Sequence, residues 1–62
     1  MKRKNFNVRY AFWEAGLKFA EQNVKAKSAE EAAQIIYNEN RAQEIVVDGR
    51  KVDIIPLIRR AP

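Results

Sequence analysis

Asn5 to Trp13 alternates polar and apolar residues without a break. Phe6, Val8, Tyr10 and Phe12 fall on one side; Asn5, Asn7, Arg9, Ala11 and Trp13 fall on the other. Side chains alternate faces along a strand, so the pattern predicts a strand with one strongly apolar face. Glu14-Ala15-Gly16 follows as a turn, with Gly16 suited to a left-handed position. Leu17 to Lys27 is read as the returning strand, and loop length sets its register. A three-residue loop places Trp13 opposite Leu17 and puts Ala20, Val24 and Ala26 on the face of Phe12, Tyr10 and Val8. A two-residue loop sets Phe12 opposite Phe19 and needs a bulge to bring Val24 and Ala26 back. The first register is preferred because it needs no bulge. It gathers Trp13, Leu17 and Phe19 on the face away from Tyr10.

The period then changes from two to 3.6. Ser28 to Tyr37 reads as a helix opened by an S-x-x-E capping box, in which Ser28 accepts from the third helical amide and Glu31 reaches back. Glu30 and Glu31 also lie at the positive end of the helix dipole. Ala29, Ala32, Ala33, Ile35 and Ile36 form the apolar stripe, with Glu30, Glu31, Gln34 and Asn38 opposite. Asn40 would return to the apolar stripe, so the helix is expected to stop just before it.

Glu44 to Val47 and Arg50 to Ile55 flank Asp48-Gly49, a strong hairpin signal. A two-residue loop pairs Ile45 with Val52, so Ile45, Val47, Val52 and Ile54 share one face. Val46, Lys51, Asp53 and Ile55 take the other. Pro56 places the last strand at a sheet edge or ends its pairing, and Leu57 and Ile58 continue the apolar run before Arg59-Arg60-Ala61-Pro62. The order strand, strand, helix, strand, strand predicts an α+β fold of two layers: a four-stranded antiparallel sheet with one helix packed on one face. The whole chain, 1–62, is expected to be a single small domain.

Composition narrows what such a domain does. A chain of 62 residues buries only about 60 % of its unfolded surface, so it should be marginal or gain stability by association. It has no cysteine and no histidine, so neither disulfides nor thiolate or imidazole metal sites are expected, and no cofactor is implied. Absent cysteine favours the cytoplasm. Met1-Lys-Arg-Lys-Asn resembles the start of a signal peptide, but no apolar block follows and no run reaches membrane-spanning length.

Catalysis is not expected. Threonine is also missing, and the lone serine, Ser28, is already a helix cap. A serine nucleophile needs a neighbouring base, which here means lysine or carboxylate. Glu30 and Glu31 are adjacent but lie on a solvated helix face, and acid–base pairs need one member desolvated. Asp48 is accounted for by its turn. Two glycines cannot make a phosphate-cradling loop.

Function is therefore sought in surfaces, and two stand out. The sheet face opposite the helix carries Arg9, Trp13, Leu17, Phe19, Val46, Lys51, Ile55 and Leu57. An open apolar face marks an interface, and Trp and Arg are frequent anchors. Such a face would take a foreign protein or a second copy of the chain. The other surface is electrostatic. The formal net charge is +4, and Lys2, Arg3, Lys4, Lys25, Lys27, Arg50 and Lys51 are seven of the twelve basic residues. The topology gathers them at one pole, relieved by Glu30, Glu31 and Asp48. Such a pole could neutralise the phosphates of a nucleic acid, although no sequence-reading motif accompanies it. A solvated basic end is the plainer reading of the same residues.

Val24-Lys-Ala-Lys-Ser-Ala-Glu-Glu-Ala-Ala-Gln-Ile-Ile resembles small proteins of phages and mobile elements. In these, a hairpin leads into a helix opened by Ala-x-Ser-x-Glu-Glu-Ala. The DpnD/PcfM-like proteins look like this and continue into a strand like Glu44-Ile-Val-Val-Asp. The short inhibitor of bacterial RNA polymerase made by some lytic coliphages is similar in size and in strand, strand, helix, strand order. Its last strand carries basic residues that contact the polymerase, and Arg59 and Arg60 hold a comparable late position here. They are adjacent, where alternating positions would present both from one strand face, and the fourth strand goes beyond that pattern. The resemblance implies a protein that docks on a host protein and regulates it, with transcription machinery the implied target.

Overall fold

The computed structural model describes residues 2–60; Met1, Ala61 and Pro62, at the ends of the two basic termini, lie outside the described residues. Six elements follow in order: β1 (Lys4–Trp13), β2 (Leu17–Ala26), α1 (Ala29–Asn40), β3 (Glu44–Val47), β4 (Arg50–Val52) and α2 (Ile55–Arg60). The strands form one antiparallel sheet in the order β2-β1-β3-β4, and α1, between β2 and β3, packs on it. The fold is the expected α+β arrangement. Because β1 is antiparallel to both β2 and β3, those two run the same way. The chain must travel back along the sheet to get from one to the other, and α1 makes that return.

The β1–β2 register is that of the three-residue loop: Trp13 faces Leu17, Tyr10 faces Ala20 and Phe6 faces Val24. Ala15 and Gly16 take positive φ values of 52° and 126° in the turn. Asp48 and Gly49 both have positive φ, 48° and 82°, the type I′ geometry whose twist matches the flanking strands. Ile45 consequently pairs with Val52. The turn is also tied to β1, since Asp48 donates its amide to the Asn7 carbonyl and its Oδ1 accepts from the Asn7 amide, both at 2.8 Å.

Ser28 has extended backbone and its Oγ accepts from the Glu31 amide at 3.1 Å. Glu31 reaches back to the Lys27 amide at 3.4 Å, one residue beyond the cap itself. Removing the cap leaves a helical N–H unpaired, so Ser28→Ala is expected to cost about 1 kcal/mol in chemical denaturation. A change under a few tenths would show that the cap is dispensable.

The helix runs through Asn40, past the expected stop. Asn40 is accommodated because its Nδ2 donates to the Ile36 carbonyl at 3.3 Å. Arg41 then ends the helix in the left-handed region, donating its amide to the Tyr37 carbonyl at 2.7 Å while its guanidinium lies 5.4 Å from the Tyr37 ring centre.

The C-terminal stretch departs from the sequence reading. β4 stops at Val52, where a strand reaching Ile55 was expected, and Ile55–Arg60 forms a short second helix that the sequence reading did not include. Asp53 Oδ1 accepts from the Ile55 amide at 3.0 Å, a side-chain turn that opens the helix. Pro56 sits in the first helical turn, where its missing N–H costs nothing. The helical period sends Leu57 inward, and it is buried in the core, not on the open face.

The core lies between the sheet and the two helices. Val8, Val24, Ala26, Ile45 and Val47 from the strands meet Ala32, Ala33, Ile36 and Tyr37 from α1, with Ala42 and Leu57 closing the ends. Small alanines on α1 let its backbone approach the large β1 residues, and Phe6 and Tyr10 pack at the margin. Gln34, assigned to the solvent side, is half-buried because α2 lies against it; its Nε2 donates to the Leu57 carbonyl at 3.1 Å.

Candidate protein-docking face

The sheet face away from α1 is built by parity. Odd-numbered residues of β1 point there, and the register stacks them in rows with β2 and β3. Trp13 stands beside Leu17; Ala11 lies between Phe19 and Glu44; Arg9 lies between Glu21 and Val46, with Lys51 beyond. Trp13 is 67 % exposed, Phe19 77 % and Leu17 49 %. Three large apolar side chains on adjacent rows of one surface form a patch of the kind that marks an interaction site.

Ala11 is buried although it belongs to no part of the core cluster. Its small side chain is overshadowed by the neighbours on either side. It lies in an open hollow of about 400 Å³, also lined by Arg9, Phe19, Glu21, Glu44 and Val46. The rim is charged in both signs. Arg9 Nε lies 3.8 Å from Glu21 Oε2, Lys51 Nζ lies 3.8 Å from Glu44 Oε1, and Asn7 donates to Glu21 Oε2 at 2.5 Å. These pairs are exposed and contribute at most about 1 kcal/mol each to the fold. Their importance is to leave the rim with two cations and two anions.

Of the sequence candidates, the structure brings Arg9, Trp13, Leu17, Phe19, Val46 and Lys51 onto this one face. It does not bring Ile55, Arg59 and Arg60 there. All three belong to α2, which packs beside α1 with its Leu57 in the core. Ala11, Glu21 and Glu44 were overlooked, although the pairing that sets Trp13 against Leu17 already sets Arg9 against Glu21 and Ala11 against Phe19.

The basic residues divide. Lys2, Arg3, Lys4, Lys25 and Lys27 are all exposed around the start of β1 and the end of β2, where Lys4 pairs with Ala26. The β3–β4 turn meets β1 at Asn7, three residues further on, roughly 10 Å along the strand. Arg50 is therefore set apart from that group, and Lys51 lies on the docking face beside Glu44.

Among the described residues, no group of three or more acidic side chains is placed to hold a metal ion, and no helix is long and apolar enough to cross a membrane. No protein-family model, curated protein or solved structure matches the chain.

Proposed function

We propose that this chain is a non-catalytic binding protein of phage or mobile-element type, which docks on a host protein through the open sheet face and regulates it in the cytoplasm. The observation that carries the reading is the row pattern of Trp13, Leu17 and Phe19, exposed together on a sheet face that no other element covers among the described residues. Desolvating those side chains on a partner removes apolar surface from water at about 25 cal/mol per Å². Exposed aromatic side chains bordered by ion-paired residues, Arg9 with Glu21 and Lys51 with Glu44, are the residue types that protein–protein interfaces use. Glu21 and Glu44 balance Arg9 and Lys51 on this face, which suits a protein surface better than a polyphosphate backbone. Transcription machinery is suggested as the target class by the similarity in size and strand, strand, helix, strand order to the phage inhibitor of bacterial RNA polymerase; Arg59 and Arg60, which lie on α2 and not on a strand, add nothing to it.

Immobilised protein should retain a bacterial protein from lysate, identified by mass spectrometry and then rebound in purified form. Because Phe19 is exposed and its loss leaves the core intact, Phe19→Ala and Trp13→Ala should each weaken that purified interaction by tenfold or more, the effect of a typical interface anchor. Equal retention by wild type and both variants would remove the open face from the interaction.

A further inference from the structure

We infer that the free protein forms a twofold-symmetric dimer in which a second copy of the chain covers the open face, so that docking on a foreign protein competes with self-association. The inference rests on the reading of that face as a docking surface and assigns its resting occupant.

The argument is one of self-complementarity. Consider a twofold axis parallel to the strands, lying above the line between β1 and β2. It carries β1 of one copy over β2 of the other at equal height, the face-to-face arrangement of aligned sheets. Each residue then meets, across the interface, the type of residue that is its neighbour within the hairpin. Phe19, which protrudes, enters the hollow above the partner copy's Ala11, and the reciprocal contact is made at the same time. Trp13 lies over Leu17. Arg9 lies over Glu21, opposite in sign, and again twice by symmetry.

The same operation leaves no like charges opposed among these rows, since Asn7 meets Asn23 and Asn5 meets Lys25. The hollow of about 400 Å³ is of the size that accepts small-molecule groups, and so has room for one ring. A standard interface takes about 800 Å² from each partner. The ten-residue pairing of β1 with β2 provides a ribbon roughly 33 Å long and about 10 Å wide, which buries less than that standard area and suits a dimer that dissociates on dilution.

Sedimentation equilibrium tests the dimer without any foreign partner. Wild type is expected at twice the 7.2 kDa chain mass at high concentration, dissociating on dilution. Trp13, the single tryptophan, should shift its emission to the red over the same range as it becomes hydrated. Arg9→Glu opposes two acids in each of two symmetric contacts, and Glu21→Arg opposes two cations; each variant alone should be monomeric while keeping a native circular-dichroism spectrum. An equimolar mixture of the two restores opposite charges in both contacts, and should regain the doubled mass.

A wild type that stays monomeric at every concentration overturns the dimer, and leaves the Phe19→Ala binding result to judge the docking face by itself. A dimer that survives both charge reversals, or a mixture that fails to reassociate, overturns this symmetry. A dimer formed by pairing β2 edges would be unmoved by Arg9→Glu, since Arg9 lies on β1 away from that edge, and would be recognised that way.

Discussion

Ile45→Ala is expected to abolish cooperative folding near physiological temperature. Ile45 is fully buried on β3, between Tyr10 and Val52 in the sheet and within the cluster that includes α1. Truncating a buried isoleucine costs about 2–5 kcal/mol, because the lost apolar contacts leave a cavity that the surroundings only partly fill. At about 0.05–0.15 kcal/mol per residue, a 62-residue chain has roughly 3–9 kcal/mol in total. Among the described residues, the largest fully buried side chains are Ile36, Ile45, Leu57, Val8 and Val47, and half of the residues α1 buries in the core are alanine. Losing one of five leaves little in reserve. Ile45→Val is the matched control, with a cost of about 0.5–1.5 kcal/mol and a fall of about 4–8 °C in melting temperature per kcal/mol. Both should be measured at one fixed protein concentration, because self-association stabilises the fold by mass action. A sharp transition in Ile45→Ala close to that of Ile45→Val would show that the core repacks around the site.

What could be read before the structure, and what could not, divides along physical lines. The β1–β2 hairpin was legible because nine alternating residues fix two faces, and only the three-residue loop puts Val24 and Ala26 on the core face without a bulge. Asp48-Gly49 dictated its own turn, which fixed Ile45 against Val52. Most of the docking face followed from these two registers. Strand order was not legible, since nothing local states which strand edge β3 joins. The tether between the Asp48-Gly49 turn and Asn7 and the bond from the Gln43 amide to the Ala11 carbonyl at 2.8 Å join residues far apart in sequence. The stretch from Asp53 to Ile58 was misread for a different reason. An apolar run of six or fewer residues carries no usable period, and proline fits the first turn of a helix as well as the end of a strand. That misreading moved Ile55 and Leu57 onto a face they do not share.

Leu57→Ala carries the second large effect, and compared with Ile58→Ala it separates the two readings of this stretch by experiment. As a strand continuing β4, residues 54, 56 and 58 would face the core, leaving 55 and 57 on the open side. As a helix, Ile54 and Leu57, three residues apart, face the core together. The structure has Leu57 at 2 % exposure and Ile58 at 46 %. Leu57→Ala should therefore cost about 2–4 kcal/mol, while Ile58→Ala should cost about 0.5 kcal/mol or less, as surface changes do. Detaching α2 would also release the Gln34 side chain from the Leu57 carbonyl, so the loss should extend beyond one cavity. Hydrogen exchange gives an independent readout. The Ile58 amide, bonded to the Ile54 carbonyl at 2.9 Å, should lose protection in Leu57→Ala, whereas amides of the β1–β2 ladder retain theirs up to global unfolding. The reverse order of costs, with Ile58 the expensive residue, would return this segment to the sheet and reopen the question of which surface Arg59 and Arg60 occupy.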